Sequence, residues 1–516
     1  MDTLSFLKSL VRRKPIAAID DEREGAMKRT LGAWDLIFLA VGAVIGAGIF
    51  SAIGSAAAGR VDSTTGVVRL GAGPGLVLSF VLLGVVCGLC ALCYAELAAM
   101  IPQAGSAYAY TYATLGEVVA WIIGWDLILE YAVGNVAVAI SWANYALSLI
   151  HATGLNPPEW LVHGYYDVAQ QAEAGSPEMA ALLVSAPHVA GIPFIINLPA
   201  FLIVAVITGI LLIGARESSA VNAFMVILKL IVLALFVFAG APHVDTARFT
   251  PFLPNGFTGV WHGAAIIFFA YIGFDAISTA AEETKNPQRN VPIGILGGLA
   301  ICTFVYIAVG LVLVGLAPWQ EFALHGDPLA FALENVGLPV AGWIVSAGAV
   351  VSMTSVLLVF QYGQPRILYA MARDGLLPER AAKLHPKFKT PWGLTILTGL
   401  LVAGSSLVAD DDATYDLTNI GTLFAFALVC IGVAVLRITD PDRHRPFRVP
   451  YVWLVAPLGT AACIFTMGGL SRTAWERFAV WLAIGLIVYF LFGYWKSKIR
   501  AKTSVESRSP SEGPPT

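Results

Sequence analysis

Residues 40–50 read AVGAVIGAGIF and lie in the first long apolar run of the chain. Gly42, Gly46 and Gly48 fall within this short stretch. Glycine inside a helix costs about 0.5–1 kcal/mol relative to alanine, so a helix built only to span a bilayer gains nothing from three of them. Two readings compete. The glycines let helices approach closely, as Gly42 and Gly46 would in a G-x-x-x-G pair, or they let the backbone leave the helix.

Composition sets the frame. Of 516 residues, 57% are hydrophobic and 13% charged, against about 25% charged in soluble domains. Mean hydropathy is +0.75. These values describe a polytopic membrane protein. The net charge of −3 carries no sign of nucleic-acid binding. All six cysteines fall in apolar runs, so no disulfide framework is expected. Cys87, Cys90 and Cys93 are read as small residues on one helix face rather than as metal ligands. No metal site and no cofactor is expected. Residues 1–30 are polar and basic with no signal-peptide pattern, and are expected to form a cytoplasmic N-terminal segment.

Apolar runs of spanning length, about 20 residues, fall near 34–57, 75–100, 116–150, 193–214, 219–240, 258–281, 292–316, 340–371, 393–409, 415–436, 451–470 and 476–495. With the N-terminus inside, the inside connections hold Arg12, Arg13, Lys28, Arg29, Arg216, Lys285, Arg289, Arg366, Arg373, Arg380, Lys383, Arg437, Arg443 and Arg448. The outside connections hold Arg60, Arg69, Arg248, Arg472 and Arg477. Stretches 151–193 and 318–339 contain no Lys or Arg. This is the positive-inside asymmetry. It places both termini in the cytoplasm of a cell (inner) membrane protein. Residues 497–516 are Pro/Ser-rich and are expected to be a disordered tail.

Depth decides between the two readings of the glycines. Gly46 to Gly48 lie twelve to fourteen residues past Trp34, about 18–21 Å into the bilayer. The sixth run, AAIIFFAYIGFDAIS at 264–278, places Ile272 and Gly273 at the matching depth from the opposite side. Runs 1 and 6 thus weaken together. Interrupted helices in matching positions of two halves are the sequence mark of a midplane transport site. Backbone groups freed there need partners in hydrocarbon. An amino acid supplies them, its carboxylate for N–H groups and its ammonium for carbonyls. The expected fold is an all-α polytopic membrane protein with twelve transmembrane helices. Its core, residues 31–440, is a five-plus-five inverted repeat with broken helices 1 and 6. Two extra C-terminal helices follow at 441–496.

The stretches GAVIGAGIF (42–50), CYAELAAMIPQAGSAYAYTYATLGE (93–117), WIIGWDLILEYAVG (121–134), YIGFDAISTAAEETKNPQRNVPIGI (271–295) and RILYAMARDGLLP (366–378) resemble the cationic amino acid transporter family of the amino acid–polyamine–organocation superfamily. The resemblance covers most of residues 30–440 and points to the bacterial twelve-helix type. It implies amino acid transport, proton coupling, and a small single-helix accessory subunit as an additional partner beside protons and membrane lipid. Two departures stand out. The 151–192 connection is longer than usual, and Ala47 stands where many relatives carry a hydroxyl.

Lys229 lies mid-run in VNAFMVILKLIVLALF, where a lysine costs about 2.5–3.5 kcal/mol on insertion scales. The resemblance places it beside the break of helix 1 and beside helix 8, where sodium-coupled relatives hold Na⁺, so its ammonium would replace the metal. Ser352, Thr354 and Ser355 are the expected helix 8 neighbours. Glu130, near mid-membrane in helix 3, is the second proton-coupling candidate; Asp126 ranks below it. Glu96, at the cytoplasmic end of helix 2, reads equally as a structural or a functional group; Glu282 and Glu283, at the cytoplasmic end of helix 6, read as gate or loop contacts with Lys285, Arg289 or Arg366. Substrate is expected against Val44, Ile45, Gly46, Ala47 and Gly48 of helix 1. Phe268, Phe269, Ala270 and Ile272 of helix 6 and Val359 of helix 8 complete the wall. The wall is apolar, and helix 8 carries no acid between Trp343 and Tyr362, which favours neutral amino acids. A channel would need a repeated filter. An intramembrane enzyme would need a nucleophile–base pair or metal ligands at one depth, and neither is evident, so no enzyme activity is expected. An amino acid receptor differs from a carrier only in flux.

Overall fold

The computed structural model describes residues 12–14, 30–61, 68–101, 106–173, 176–213, 219–386 and 390–498. Most of the expected tail, from residue 499, and most of the N-terminal segment lie outside these. Among the described residues, eight helices are long and apolar enough to cross a membrane, and nine if one bent pair counts as a single span. That pair is α1 (Ala33–Val44) and α2 (Gly48–Ala58), which meet at 47°.

The chain continues with the long helix α3 (Leu76–Met100), the short α4 (Ser106–Thr114) and the long α5 (Glu117–Ala152). Two short helices, α6 (Tyr165–Glu173) and α7 (Pro177–Ser185), precede α8 (Leu198–Leu212) and α9 (Ser219–Gly240). Next come α10 (Gly256–Ile267), the tight 3₁₀ turn Phe268–Tyr271 and the 3₁₀ helix α11 (Phe274–Glu283). The rest are α12 (Pro287–Leu316), α13 (Pro328–Asn335), α14 (Pro339–Arg373), α15 (Trp392–Ser406), α16 (Asp411–Thr439), α17 (Val452–Met467) and α18 (Arg472–Lys496). Three of these, α8, α15 and α17, are apolar but shorter.

Exposure follows the solvent a membrane provides. Phe224, Ile231, Phe238, Leu400, Leu454 and Leu491 are exposed along the outer helices, where lipid tails rather than water would meet them. Trp34, Trp392, Trp453 and Trp495 are exposed near helix ends, the position of interfacial aromatics. The interior is one continuous apolar core threaded by α1, α10, α11, α12, α14 and α16. Small residues permit that density. A Cβ on Gly294 or Gly298 of α12 would meet Leu36 or Ala40 of α1 within 2.6 Å.

The long 151–197 connection has its own architecture. Val168, Leu182, Ala186 and Ile195 form a small separate core under α6 and α7. The unit is tied to the α15–α16 connection by Tyr166 N to Val408 O (3.0 Å) and Asn197 N to Leu407 O (2.8 Å). A hairpin of β1 (Gly59–Val61) and β2 (Val68–Leu70) lies on the same loop-bearing face. Arg69 in β2 forms a buried ion pair with Asp416 of α16 at 2.8 Å, and Ser471 donates to the same carboxylate at 2.7 Å. Arg60 pairs with Asp412. At the opposite end Glu96 accepts from Arg437 (2.6 Å) and from Val449 N (2.7 Å) and pairs with Arg445 (3.3 Å). Of the structural and functional roles left open for Glu96, these contacts describe an anchor for the connection after α16.

Candidate functional site

Two breaks in the helical ladder face each other inside the core. At the first, Val44 ends α1, Ile45 is extended (φ −77°, ψ 101°), and the backbone resumes at Gly48. At the second, the chain passes from the Phe268–Tyr271 turn through extended Ile272 (φ −66°, ψ 140°) to Gly273. Gly273 has φ +111°, a conformation that side-chain-bearing residues rarely adopt. The breaks cross in opposite senses. A Cβ on Gly48 would lie 2.2 Å from Ala270 Cα, and one on Gly273 would lie 3.0 Å from Ala43 O. The glycines therefore serve both readings: they allow the turn, and they let two backbones touch.

Breaking a helix releases carbonyls at one end and N–H groups at the other. Side chains from four other helices reach the carbonyls. Lys229 Nζ of α9 donates to Gly42 O (2.8 Å), Ile45 O (3.0 Å) and Ser355 Oγ (3.0 Å). Ser352 Oγ of α14 also donates to Ile45 O (3.1 Å). The hydroxyl of Tyr306, in α12, stands 3.0 Å from Val44 O and 2.8 Å from Ala270 O, so one group bridges both breaks. Asn419 Nδ2 of α16 donates to Ala265 O (2.9 Å) and Ile266 O (3.0 Å). The N–H groups of Gly46, Ala47 and Gly48 open α2, with no preceding turn to accept them, at the positive end of its dipole.

The expected wall residues Val44, Ile45, Gly46, Ala47, Gly48, Phe268, Phe269, Ala270 and Ile272 are all buried at these breaks. Of the expected neighbours of Lys229, the structure brings Ser352 and Ser355 to it and not Thr354. Each residue turns a helix by about 100°, which points Thr354 away. Thr354 accepts from Trp142 Nε1 at 3.0 Å and donates to Val350 O at 2.7 Å. The side chain that fills the space beside Gly46 is Val356, whose Cγ2 would stand 2.8 Å from a Cβ there. Val359 lies one turn further along the same stripe and is half-buried.

Glu130 belongs to a different network from Lys229. It is buried in α5, with Asp275 and Thr422 as neighbours. Asp126, a turn earlier, lies against Gly421, and neither of its oxygens has a hydrogen-bond partner among the described residues. Glu282's side chain lies outside the described residues, and Arg366 stacks on the Tyr362 ring at 3.5 Å. Toward the loop-bearing face the site is covered by rings. Phe269 meets Tyr415 edge-on at 4.7 Å, Tyr415 shares a 2.5 Å hydrogen bond with Ser141, and the Arg60 guanidinium lies 5.8 Å over the Tyr415 ring. Tyr306, Asn419 and Asp275 were absent from the sequence-based site. Asn419 and Asp275 are polar groups at membrane depth, a signal that was available; the Tyr306 ring blends into an apolar run.

The class defined by this fold and site is a multi-pass, all-helical membrane protein with a polar centre on interrupted helices. The chain belongs to the amino acid permease family, whose profile matches residues 31–494. It is 42% identical over 487 residues to the methylthioribose transporter of Bacillus subtilis, covering 94% of this chain and 98% of that protein. It is 42% identical over 495 residues to the branched-chain amino acid permease BcaP of the same organism, covering 95% and 99%. The vacuolar cationic amino acid transporter 2 of Arabidopsis thaliana is 36% identical over 85% of this chain and 65% of its own length. The family resemblance of the sequence motifs is therefore shown.

Proposed function

We propose that the protein is a secondary active permease for proton-coupled uptake of neutral amino acids by alternating access. Twelve spans, counting the bent pair as one and adding α8, α15 and α17 to the longer helices, form the five-plus-five repeat and two further helices. Residues 31–440 form the transport core. The loop-bearing face is the outside, and both termini are cytoplasmic. The observation that carries the reading is the Lys229 ammonium on Gly42 O and Ile45 O. A cation on these carbonyls takes the place of a metal ion and meets any additional Na⁺ with like-charge repulsion. Release of its proton removes one donor and the charge, freeing the α1 carbonyls and the α14 hydroxyls to rearrange. The N–H groups opening α2 receive the substrate carboxylate. The apolar wall, Val356 included, receives an uncharged side chain, in line with the activity named for the branched-chain permease relative. Glu130, beside Asp275, acts as a second proton carrier.

Vesicle transport tests this. Accumulation should follow a pH gradient and be indifferent to replacing Na⁺ by K⁺ or choline. Lys229→Met should bind substrate but lose gradient-driven accumulation. Accumulation driven by a sodium gradient at clamped pH, or full proton-driven accumulation by Lys229→Met, overturns the proposal. One observation favours a second reading, the equal identity to a methylthioribose transporter. Methylthioribose carries no carboxylate or ammonium for the freed backbone groups. Competition by methylthioribose with no competition from any amino acid would select it.

A further inference from the structure

The two breaks are held by different chemistry from equivalent places. In each, one side chain donates two hydrogen bonds to two carbonyls released at the end of the first half-helix. At the first break the donor is the Lys229 ammonium of α9, and at the second it is the Asn419 amide of α16. In the repeat proposed above, α9 and α16 are the fifth helices of the two halves, so the comparison rests on that reading. The freed carbonyls have a local cause. The α-helix of α10 stops at Ile267 and the chain tightens to 3₁₀ over Phe268–Tyr271. The i→i+4 bonds that Phe269 and Ala270 would have made to Ala265 and Ile266 are thereby lost. The two Asn419 N–H bonds replace them. Asn419 is fully buried, and its Oδ1 has no hydrogen-bond partner among the described residues. An unpartnered buried amide oxygen is costly, so the residue is held there for what its Nδ2 does.

We infer that Asn419 is a positioning residue for the substrate site, the non-titrating counterpart of Lys229. It fixes the Phe268–Tyr271 turn, and with it Phe269 and the Ala270 backbone that packs on Gly48. It also couples α10 to α16 across the transport cycle, together with the Phe269–Tyr415 ring contact. An amide keeps both donors at every physiological pH, whereas an ammonium can surrender a proton and its charge. One clamp can therefore open on deprotonation, and the other stays shut. The groups facing Asn419 from α10 are backbone carbonyls. Titratable neighbours lie elsewhere: Tyr415 and Asp416 on α16 toward the loop-bearing face, and Glu130 of α5 beside Thr422.

Asn419→Asp and Asn419→Leu test the inference in the purified full-length protein. Hydrogen exchange followed by mass spectrometry needs no substrate. Asn419→Leu should raise exchange at least tenfold in residues 265–273, with α3 and α12 unchanged. Unchanged exchange at 265–273 overturns the inference, and so does a rise spread evenly over the molecule, which would mark a general packing role. The second arm measures binding of L-isoleucine from pH 5.5 to 8. An ionised aspartate offers acceptors only, facing two carbonyls, whereas the protonated acid can donate to one of them. The ratio of the Asn419→Asp to wild-type dissociation constants should therefore rise at least tenfold with pH, and the Asn419→Leu ratio should stay flat. A flat Asn419→Asp ratio overturns the positioning role. Wild-type protein that binds no L-isoleucine counts against the neutral amino acid reading, and the exchange arm then decides the inference by itself.

Discussion

Gly48→Ala adds a single methyl group where the two breaks touch. Its Cβ would lie 2.2 Å from Ala270 Cα, 2.5 Å from Ala270 N and 2.6 Å from Ala270 Cβ. Carbon atoms rest at about 3.5–4.0 Å, so the backbones must separate by roughly 1.3 Å or more, and no flexible side chain can absorb the shift. Overpacking a core costs about 1–3 kcal/mol, and a backbone contact belongs at the upper end. If that strain falls on the substrate-bound arrangement, 2–3 kcal/mol is about 30–150-fold in dissociation constant. Gly46→Ala differs, because its new methyl would meet the Val356 side chain at 2.8 Å rather than backbone. It should be milder, and Val356→Ala should restore it. Ligand-dependent thermal shifts in detergent measure affinity and stability in one experiment, and vesicle uptake gives the functional readout. Wild-type affinity and uptake in Gly48→Ala would refute the claim that these backbones form the site. Failure of Val356→Ala to rescue Gly46→Ala would refute the assignment of Val356 to its wall.

Tyr306→Phe removes the one hydroxyl shared by Val44 O and Ala270 O. It should destabilise the protein by about 1–3 kcal/mol, as expected when buried carbonyls lose their donor, and weaken substrate binding in the same samples; wild-type melting and affinity would show that the bridge is dispensable. The connection between α5 and α8 should respond to pH. Burial, reinforced by the negative charge of Asp410, pushes the Asp167 carboxyl from 3.8 up to about 6, and burial, reinforced by Asp412, pushes Asp410 to about 6 as well. The folded state then holds protons that the unfolded chain releases, so stability falls as pH rises from about 4 to about 6 and levels off above. Asp167→Asn should leave the melting temperature unchanged near pH 4 and raise it at pH 7; a variant less stable than wild type at pH 7 would contradict the sign.

The breaks were legible because a backbone that must leave the helix leaves glycines at a particular depth. Gly46, Gly48 and Gly273 show this, and the structure adds that their absent side chains also let Ala270 and Ala43 approach. Lys229 was legible for a related reason, since a charge in an apolar run must find partners inside the protein. Rotational register was not legible. In α14, a helix of 35 residues, hydroxyls at 352, 354 and 355 are equivalent as sequence, and only packing against α1 and α5 sends Ser355 to Lys229, Ser352 to Ile45 O and Thr354 to Trp142. The 151–197 connection was legible as a long polar stretch and nothing more. Its small core joins residues as far apart as Val168 and Ile195, and no local periodicity announces such a pairing. Asn197 sharpens the boundary that follows, because its side chain accepts from Ala200 N at 3.1 Å and so delays the start of α8 past the expected residue 193.

The two polar neighbours Thr418 and Asn419 show where sequence reading stops and geometry begins. Both are fully buried in α16. Thr418 returns its hydrogen bond to Thr414 O within its own helix at 2.8 Å, an internal satisfaction open to a β-hydroxyl in any helix. Asn419 has a longer reach and two donor hydrogens, and spends both on another helix. The physical distinction is stoichiometric. A side chain that can satisfy itself locally gives no information about its neighbours, whereas an amide or an ammonium at membrane depth must bond across to another chain segment. Buried Asn and Lys residues therefore locate the freed carbonyls of the breaks, whereas a buried Ser or Thr can do either: Ser352 reaches Ile45 O on another helix, and Thr418 stays within its own.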